Sequence, residues 1–311
     1  MPPASTARAR FRPRWTAHRT GDVPVRLARR WSRLASAAAG LAAAGSIAGL
    51  LAGHRIYGRE TTVLADAAAA QDVVNLALVA PLLVVLGAAA VRGSLRAYLT
   101  WLGCLAFTVY NYAIYAFSVQ FGPLFLLWTA VLGLATFALI GGVATLNVAA
   151  VEGRYAGRAM PLTAWLLIGV ATLFAAIWLS EIIPDLAAGG SSRSATDWNV
   201  PTNPVHVLDL AFFLPAVAVS GVLLLRRHPL GYATAAGQLV FLALTCLPIL
   251  VTPVVAALRG HDPAWAVVMP VGLVFATTTT VLTRTLRGLT GGRSVSRNPR
   301  TRNSTGVVAG R

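Results

Sequence analysis

The chain has 311 residues, of which 56% are apolar and 12% charged, and its formal net charge is +16 at pH 7. That balance is too oily for a water-soluble domain with a solvated surface, so lipid is the expected solvent. All 26 basic side chains are arginines; they sit at the two ends and in short segments between apolar stretches, which argues against a nucleic-acid-binding domain with its basic residues on one soluble face.

In chain order, an arginine-rich arm at 1–33 comes first. It lacks apolar periodicity and is expected to be disordered, held near anionic lipid headgroups by its charge. Crossing the hydrocarbon core takes about 20 mostly apolar residues. Eight stretches meet that need, at about 34–53, 73–92, 97–118, 123–146, 161–182, 207–226, 234–257 and 264–284. The first carries a ridge of Gly45, Gly49 and Gly53, suited to close helix contact. The seventh repeats Gln238, Thr245 and Thr252 every seven residues, a pattern expected to hydrogen-bond a neighbour, and Pro248, Pro253 and Pro270 predict kinks in the last two spans. A second basic arm follows at 288–311; it too is expected to be disordered, and the sequon at Asn303 is expected to stay unglycosylated on the inner side. Cys104 and Cys246 fall inside spans and read as packing groups.

Charge orients the bundle. With the N-terminus inside, 22 of the 26 arginines are cytoplasmic, leaving Arg55, Arg59, Arg193 and Arg259 outside. This partition predicts an even number of spans with both termini in the cytoplasm.

Residues 72–107 align without a gap on residues 206–241, an offset of 134, with twelve identities that include Pro81/Pro215, Arg92/Arg226, Tyr98/Tyr232, Gly103/Gly237 and Phe107/Phe241. Both copies run the same way through the membrane. The expected fold is therefore an all-α polytopic bundle of about eight transmembrane helices. It divides into two parallel four-helix repeats, 34–146 and 147–287, related by an axis along the membrane normal.

Ionisable groups inside a bilayer are costly and mark functional positions. Asp72 and Asn75 open the second span; His206 and Asp209 open the sixth at the equivalent repeat positions. Spacing of i, i+3 puts each pair on one helix face. Trp178, Glu181 and Asp185 close the fifth span at the same face. Cys104, Thr108, Asn111, Tyr115 and Ser118 climb the third as a polar stripe, which must face other helices or water. Asp72, Asn75, Asn111, Tyr115, Glu181, His206 and Asp209 are thus the candidate ligand- or ion-binding residues of an outward-facing basin. Structural roles compete at each: Asn203 and Pro204 read as a helix cap and first-turn proline with Asp209 complementing the helix dipole, and the stripe could be interhelical glue.

The Tyr-Asn-Tyr at 110–112, Phe-Gly-Pro at 121–123 and Asn-Pro-Val-His-Val-Leu-Asp at 203–209 resemble a family of bacterial polytopic membrane proteins of unknown function. The resemblance spans roughly the second to eighth helices. It implies a multi-pass protein of the bacterial inner membrane and no particular chemistry.

With no lysine, a retinal Schiff base is excluded, and nucleotide-binding and hydrolase motifs are absent. No cofactor is expected. Three functions fit the residues. The first is a small-solute or ion-coupled transporter, the second a non-catalytic sensor or assembly component. An intramembrane enzyme with a metal held by His206 and Asp209, joined by Asp72 and Glu181, is the least favoured. The expected partners are the bilayer and a small solute or cation, not nucleic acid.

Overall fold

The computed structural model describes the backbone of residues 25–289 and the side chains from Arg29 to Leu289. Residues 1–24 and 290–311 lie outside it, and with them the expected disorder of most of both arms and the sequon at Asn303. The described residues contain eight long helices and no strand: α1 (Val25–Leu51), α2 (Thr62–Val91), α3 (Leu95–Ser118), α4 (Phe125–Thr145), α5 (Pro161–Ala187), α6 (Pro204–Leu225), α7 (Pro229–Leu258) and α8 (Trp265–Arg287). Seven of them, all but α3, are long and apolar enough to cross a membrane. The chain is therefore a multi-pass membrane protein.

Several helices outrun their expected bounds. α1 begins at Val25, taking in the last residues of the expected arm, and α2 begins at Thr62, eleven residues before the expected start. The run 62–72 contains Asp66, Gln71 and Asp72, which depress hydropathy; Asp66 and Asp72 find partners from other elements and Gln71 donates to Asn75 one turn on, so the backbone stays helical. Thr61 caps this helix by accepting the Leu64 N–H at 3.3 Å, as a Thr side chain satisfies a first-turn donor.

The helix that fails the apolarity test, α3, lies in the middle. Its polar and aromatic residues would be costly in lipid, and 16 of its 24 residues are buried, among them Thr108, Asn111, Tyr112 and Tyr115. The helices close round it in two rings. In the first, α1 packs on α2 and α4, and α3 on α2 and α4; in the second, α7 packs on α6 and α8, and α5 on α6 and α8. The rings meet where α7 lies on α3 and on the first half of α2, and where the start of α6 touches α3.

Close approach at the centre depends on two glycines. A Cβ on Gly103 of α3 would collide with the Gly237 carbonyl of α7 and come within 2.6 Å of Val240 Cβ. On Gly237, it would meet the Leu99 carbonyl oxygen at 3.5 Å and Gly103 N at 3.6 Å, an ordinary contact. The expected ridge of α1 holds only in part: Gly45 and Gly49 sit against neighbours, whereas a Cβ on Gly53 would meet only Tyr57 at 4.0 Å.

α2 and α6 each contain one π-helical turn, at Asn75–Val79 and Asp209–Phe213, followed by Pro81 and Pro215. Proline has no N–H to donate and crowds the carbonyl four residues back; a wider turn just before it relaxes that conflict, and such turns are frequent at functional sites. The two turns are 134 residues apart, as are the segments that follow them, Ala80–Val91 and Leu214–Leu225. α7 runs unbroken through Pro248 and Pro253. Its threonines do not bond a neighbour as expected: Thr245 and Thr252 donate to Phe241 and Pro248 carbonyls of their own helix, both at about 2.9 Å or less.

The glycine contact predicts an asymmetric pair of variants. Gly103→Ala should cost about 1–3 kcal/mol of stability through overpacking against backbone, whereas Gly237→Ala and Gly133→Ala, the latter facing open space, should cost much less. Thermal melting in detergent would show this; equal melting of Gly103→Ala and Gly133→Ala would contradict it.

Candidate functional site

The seven polar residues singled out on the sequence fall into two clusters on either side of a cavity. The first cluster belongs to α2 and α3. Asp72, 2% exposed, accepts the Tyr57 hydroxyl at 2.7 Å and the Tyr115 hydroxyl at 2.9 Å. Tyr57 stands after the short helix Gly53–Ile56 that turns the chain from α1 to α2. Burial first and the Asp72 carboxylate second push its hydroxyl well above the usual tyrosine range, so it remains a donor. Gly49 of α1 makes this possible, since a Cβ there would collide with Asp72 Oδ2. Trp128 stacks on Tyr57 and Tyr115, with ring centroids 6.5 and 5.3 Å apart. One turn further along α2, Asn75 accepts from Gln71 at 3.0 Å and from Asn111 at 3.2 Å. This cluster is dense, and within it only the Asn75 Nδ2 is left without a hydrogen-bond partner among the atoms named.

The second cluster belongs to α5 and α6. Asn203 and Pro204 start α6 as the sequence suggests: the Asn203 side chain accepts the Val205 N–H at 2.9 Å. Asp209, the first residue of the π turn, accepts the indole N–H of Trp178 at 2.8 Å. His206 lies against the Trp178 ring at a centroid distance of 4.7 Å and brings its Nε2 within 4.0 Å of Glu181. Glu181 also accepts the Ser194 N–H at 3.1 Å, which ties the short helix Arg193–Trp198 to the end of α5.

Between the clusters lies a cavity of about 340 Å³ whose lining comes from both rings, a volume in the range of small-molecule sites. Asn111, Tyr115 and Asp209 line it; Asp72, Asn75, Glu181 and His206 do not. The expected single basin is thus resolved into a cavity with three of the seven at its wall and four behind the wall, as supports. Of the polar stripe on α3, Asn111, Tyr115 and Ser118 reach the cavity, while Thr108 donates to the Cys104 carbonyl at 2.8 Å.

The rest of the wall mixes aliphatic side chains with aromatic rings, and Phe213 lies behind it. Tyr110 meets Phe213 and Phe241 edge-on at 4.9 and 5.4 Å, and Phe107, Phe174, Trp178 and Trp198 complete the set. No Arg or His side chain lines the cavity, and Asp209 is its one carboxylate. Among the described residues no three His, Cys, Asp or Glu side chains gather to hold a metal ion, so the metal centre imagined from His206, Asp209, Asp72 and Glu181 is not assembled.

One ionic group escaped the sequence reading. Asp66 of α2 is 3% exposed and receives Arg259 at 3.0 Å and His261 at 2.6 Å from the turn between α7 and α8. It pins the first ring to the second beside the cavity. On the sequence, Asp66 and Arg259 were only two charges outside the expected spans, with nothing local to pair them.

No protein-family model matches the chain, and no curated protein or solved structure matches it either.

The first cluster makes a stability prediction. Asp72→Ala removes the acceptor of the Tyr57 hydroxyl and should lower stability by about 1–3 kcal/mol, the cost of an orphaned buried donor. Adding Tyr57→Phe should recover part of the loss, because the orphaned Tyr57 donor is then gone while the Tyr115 hydroxyl keeps the Ala68 carbonyl. Denaturation of the parent and the two variants in detergent is the check; an Asp72→Ala protein as stable as the parent would contradict the assignment.

Proposed function

We propose that the chain is a transporter of small solutes in the bacterial inner membrane, with eight spans, both termini cytoplasmic, and its substrate site in the cavity between two four-helix halves. Counting α3 as a span rests on its 24 residues, about 36 Å at 1.5 Å per residue, enough for the hydrocarbon core. Enclosure by other helices removes the need for an apolar surface. Eight spans also agree with the arginine partition, which an odd number would scramble.

Duplication is supported by the recurrence of element bounds at the sequence offset of 134. The two π turns, the helices after them and the starts of α3 and α7, Leu95 and Pro229, all repeat at that interval. The two rings share a packing order, and the paired glycines Gly103 and Gly237 touch each other, as equivalent residues do near a pseudo-two-fold axis. Parallel repeats about a central site are a known transporter plan.

The observation that carries the functional reading is the cavity itself, walled by both halves, apolar but for a few polar groups, one of them a carboxylate. The π turn that presents Asp209 and the prolines of α7 beside the lining residues Thr245, Ile249 and Thr252 are breaks in regular hydrogen bonding. They are places where a helix can bend during alternating access. Proteoliposomes loaded by counterflow should accumulate at least one class in a panel of small apolar cations, neutrals and anions above protein-free vesicles. Asp209→Asn should reduce that uptake at least tenfold. Absence of protein-dependent uptake for every class would remove the transport reading.

A further inference from the structure

The composition of the cavity wall selects among ligands. A carbohydrate or amino acid needs several convergent hydrogen-bonding groups, whereas Gln71, Asn111, Tyr115, Asn203, Thr245 and Thr252 at this wall are engaged within the protein. An anion needs a positive partner, and in a chain with 26 arginines none of those described reaches the cavity. A bare transition-metal ion needs three or more ligating groups, and no three His, Cys, Asp or Glu side chains are gathered among the described residues. What remains is one carboxylate in an apolar wall that carries several aromatic rings.

Those rings have negative faces, and a cation placed over one is attracted to it, most strongly where water is excluded. A carboxylate in such surroundings is itself a charge without a cation, and an incoming cation would supply the missing partner. Trp178 serves both needs at once, since its N–H holds Asp209 Oδ2 at 2.8 Å while its ring lines the cavity. His206 and Glu181 stand behind that ring and fix its place. The remainder of the wall, including Phe107, Phe174 and Phe241, would cover an apolar body. We infer that the cavity binds an organic monocation with an apolar, aromatic-sized body, its charge set between Asp209 and the aromatic wall. This rests on the proposed transport site but asks only for binding.

The test uses benzyltrimethylammonium as the probe and benzylsulfonate, of similar body and opposite charge, as its control, titrated calorimetrically into the full-length protein in detergent. The cation should bind saturably and the anion at least tenfold more weakly. Asp209→Asn keeps an oxygen for Trp178 and should weaken the cation at least tenfold. Phe174→Ala, which leaves the carboxylate untouched, should weaken it several-fold. Both variants are compared only as monodisperse proteins with near-parental melting. If Asp209→Asn fails that condition, Phe174→Ala and the cation-to-anion ratio decide. No saturable cation binding, equal binding of the anion, or unchanged binding in a well-folded Asp209→Asn protein would overturn the inference. Saturable cation binding without uptake in proteoliposomes would support the inference while removing the transport reading. Protein-dependent uptake confined to neutral or anionic solutes would do the reverse.

Discussion

The enclosure of α3 is the constraint on which the rest of the structure depends. A helix carrying Thr108, Asn111, Tyr112, Tyr115 and Ser118 cannot face lipid tails without leaving polar groups unsatisfied. Its neighbours must surround it, and α7 must come close enough to do so. The Gly103 and Gly237 contact sets that approach. Asp72 and Asn75 then become acceptors for the hydroxyl and amide groups of the same helix. Once α3 is held at the centre by α2, α4 and α7, the start of α6 touches it only lightly, and the cavity opens where the packing is incomplete.

The two segments aligned at an offset of 134 differ at their polar positions. Asp72 corresponds to His206, and Asn75 to Asp209, at the shared offset. In the first the acid is turned toward Gly49 and its tyrosines, where it is satisfied within the protein. In the second the acid has moved one turn along to the π segment, where it borders open volume. A carboxylate with two phenolic donors in a dry pocket is a structural anchor. One at the edge of a cavity, with the Trp178 indole as donor and the Tyr110 hydroxyl beside it, retains capacity for a ligand because part of it borders open volume. A symmetric plan would thereby have yielded one supporting cluster and one binding cluster.

Much of this was legible in the chain. Eight helical segments, the Asn203 cap and the importance of α3 followed from hydropathy, cap chemistry and the stripe from Cys104 to Ser118. Helix ends were not legible where polar residues such as Asp66 and Asp72 lie inside a helix, because hydropathy scores a side chain alone, whereas its partner comes from far along the sequence. The π turns left a faint sign in Pro81 and Pro215, which stand in otherwise unbroken apolar runs. The Asp66 clamp and the partition of the seven candidates between cavity wall and support had no local sign, since both depend on which helices become neighbours.

The central claim is the proposal that the cavity beside Asp209 is reached from outside and favours positive charge. Thr245 lines that cavity and is half-buried. With Cys104 and Cys246 replaced by alanine and Thr245→Cys introduced, the rate of modification by membrane-impermeant methanethiosulfonates can be measured in right-side-out vesicles. A quaternary-ammonium reagent should modify the new thiol at least tenfold faster than a sulfonate reagent, with the preference lost on adding Asp209→Asn. Equal rates for the two reagents, or no modification from outside, would contradict the account.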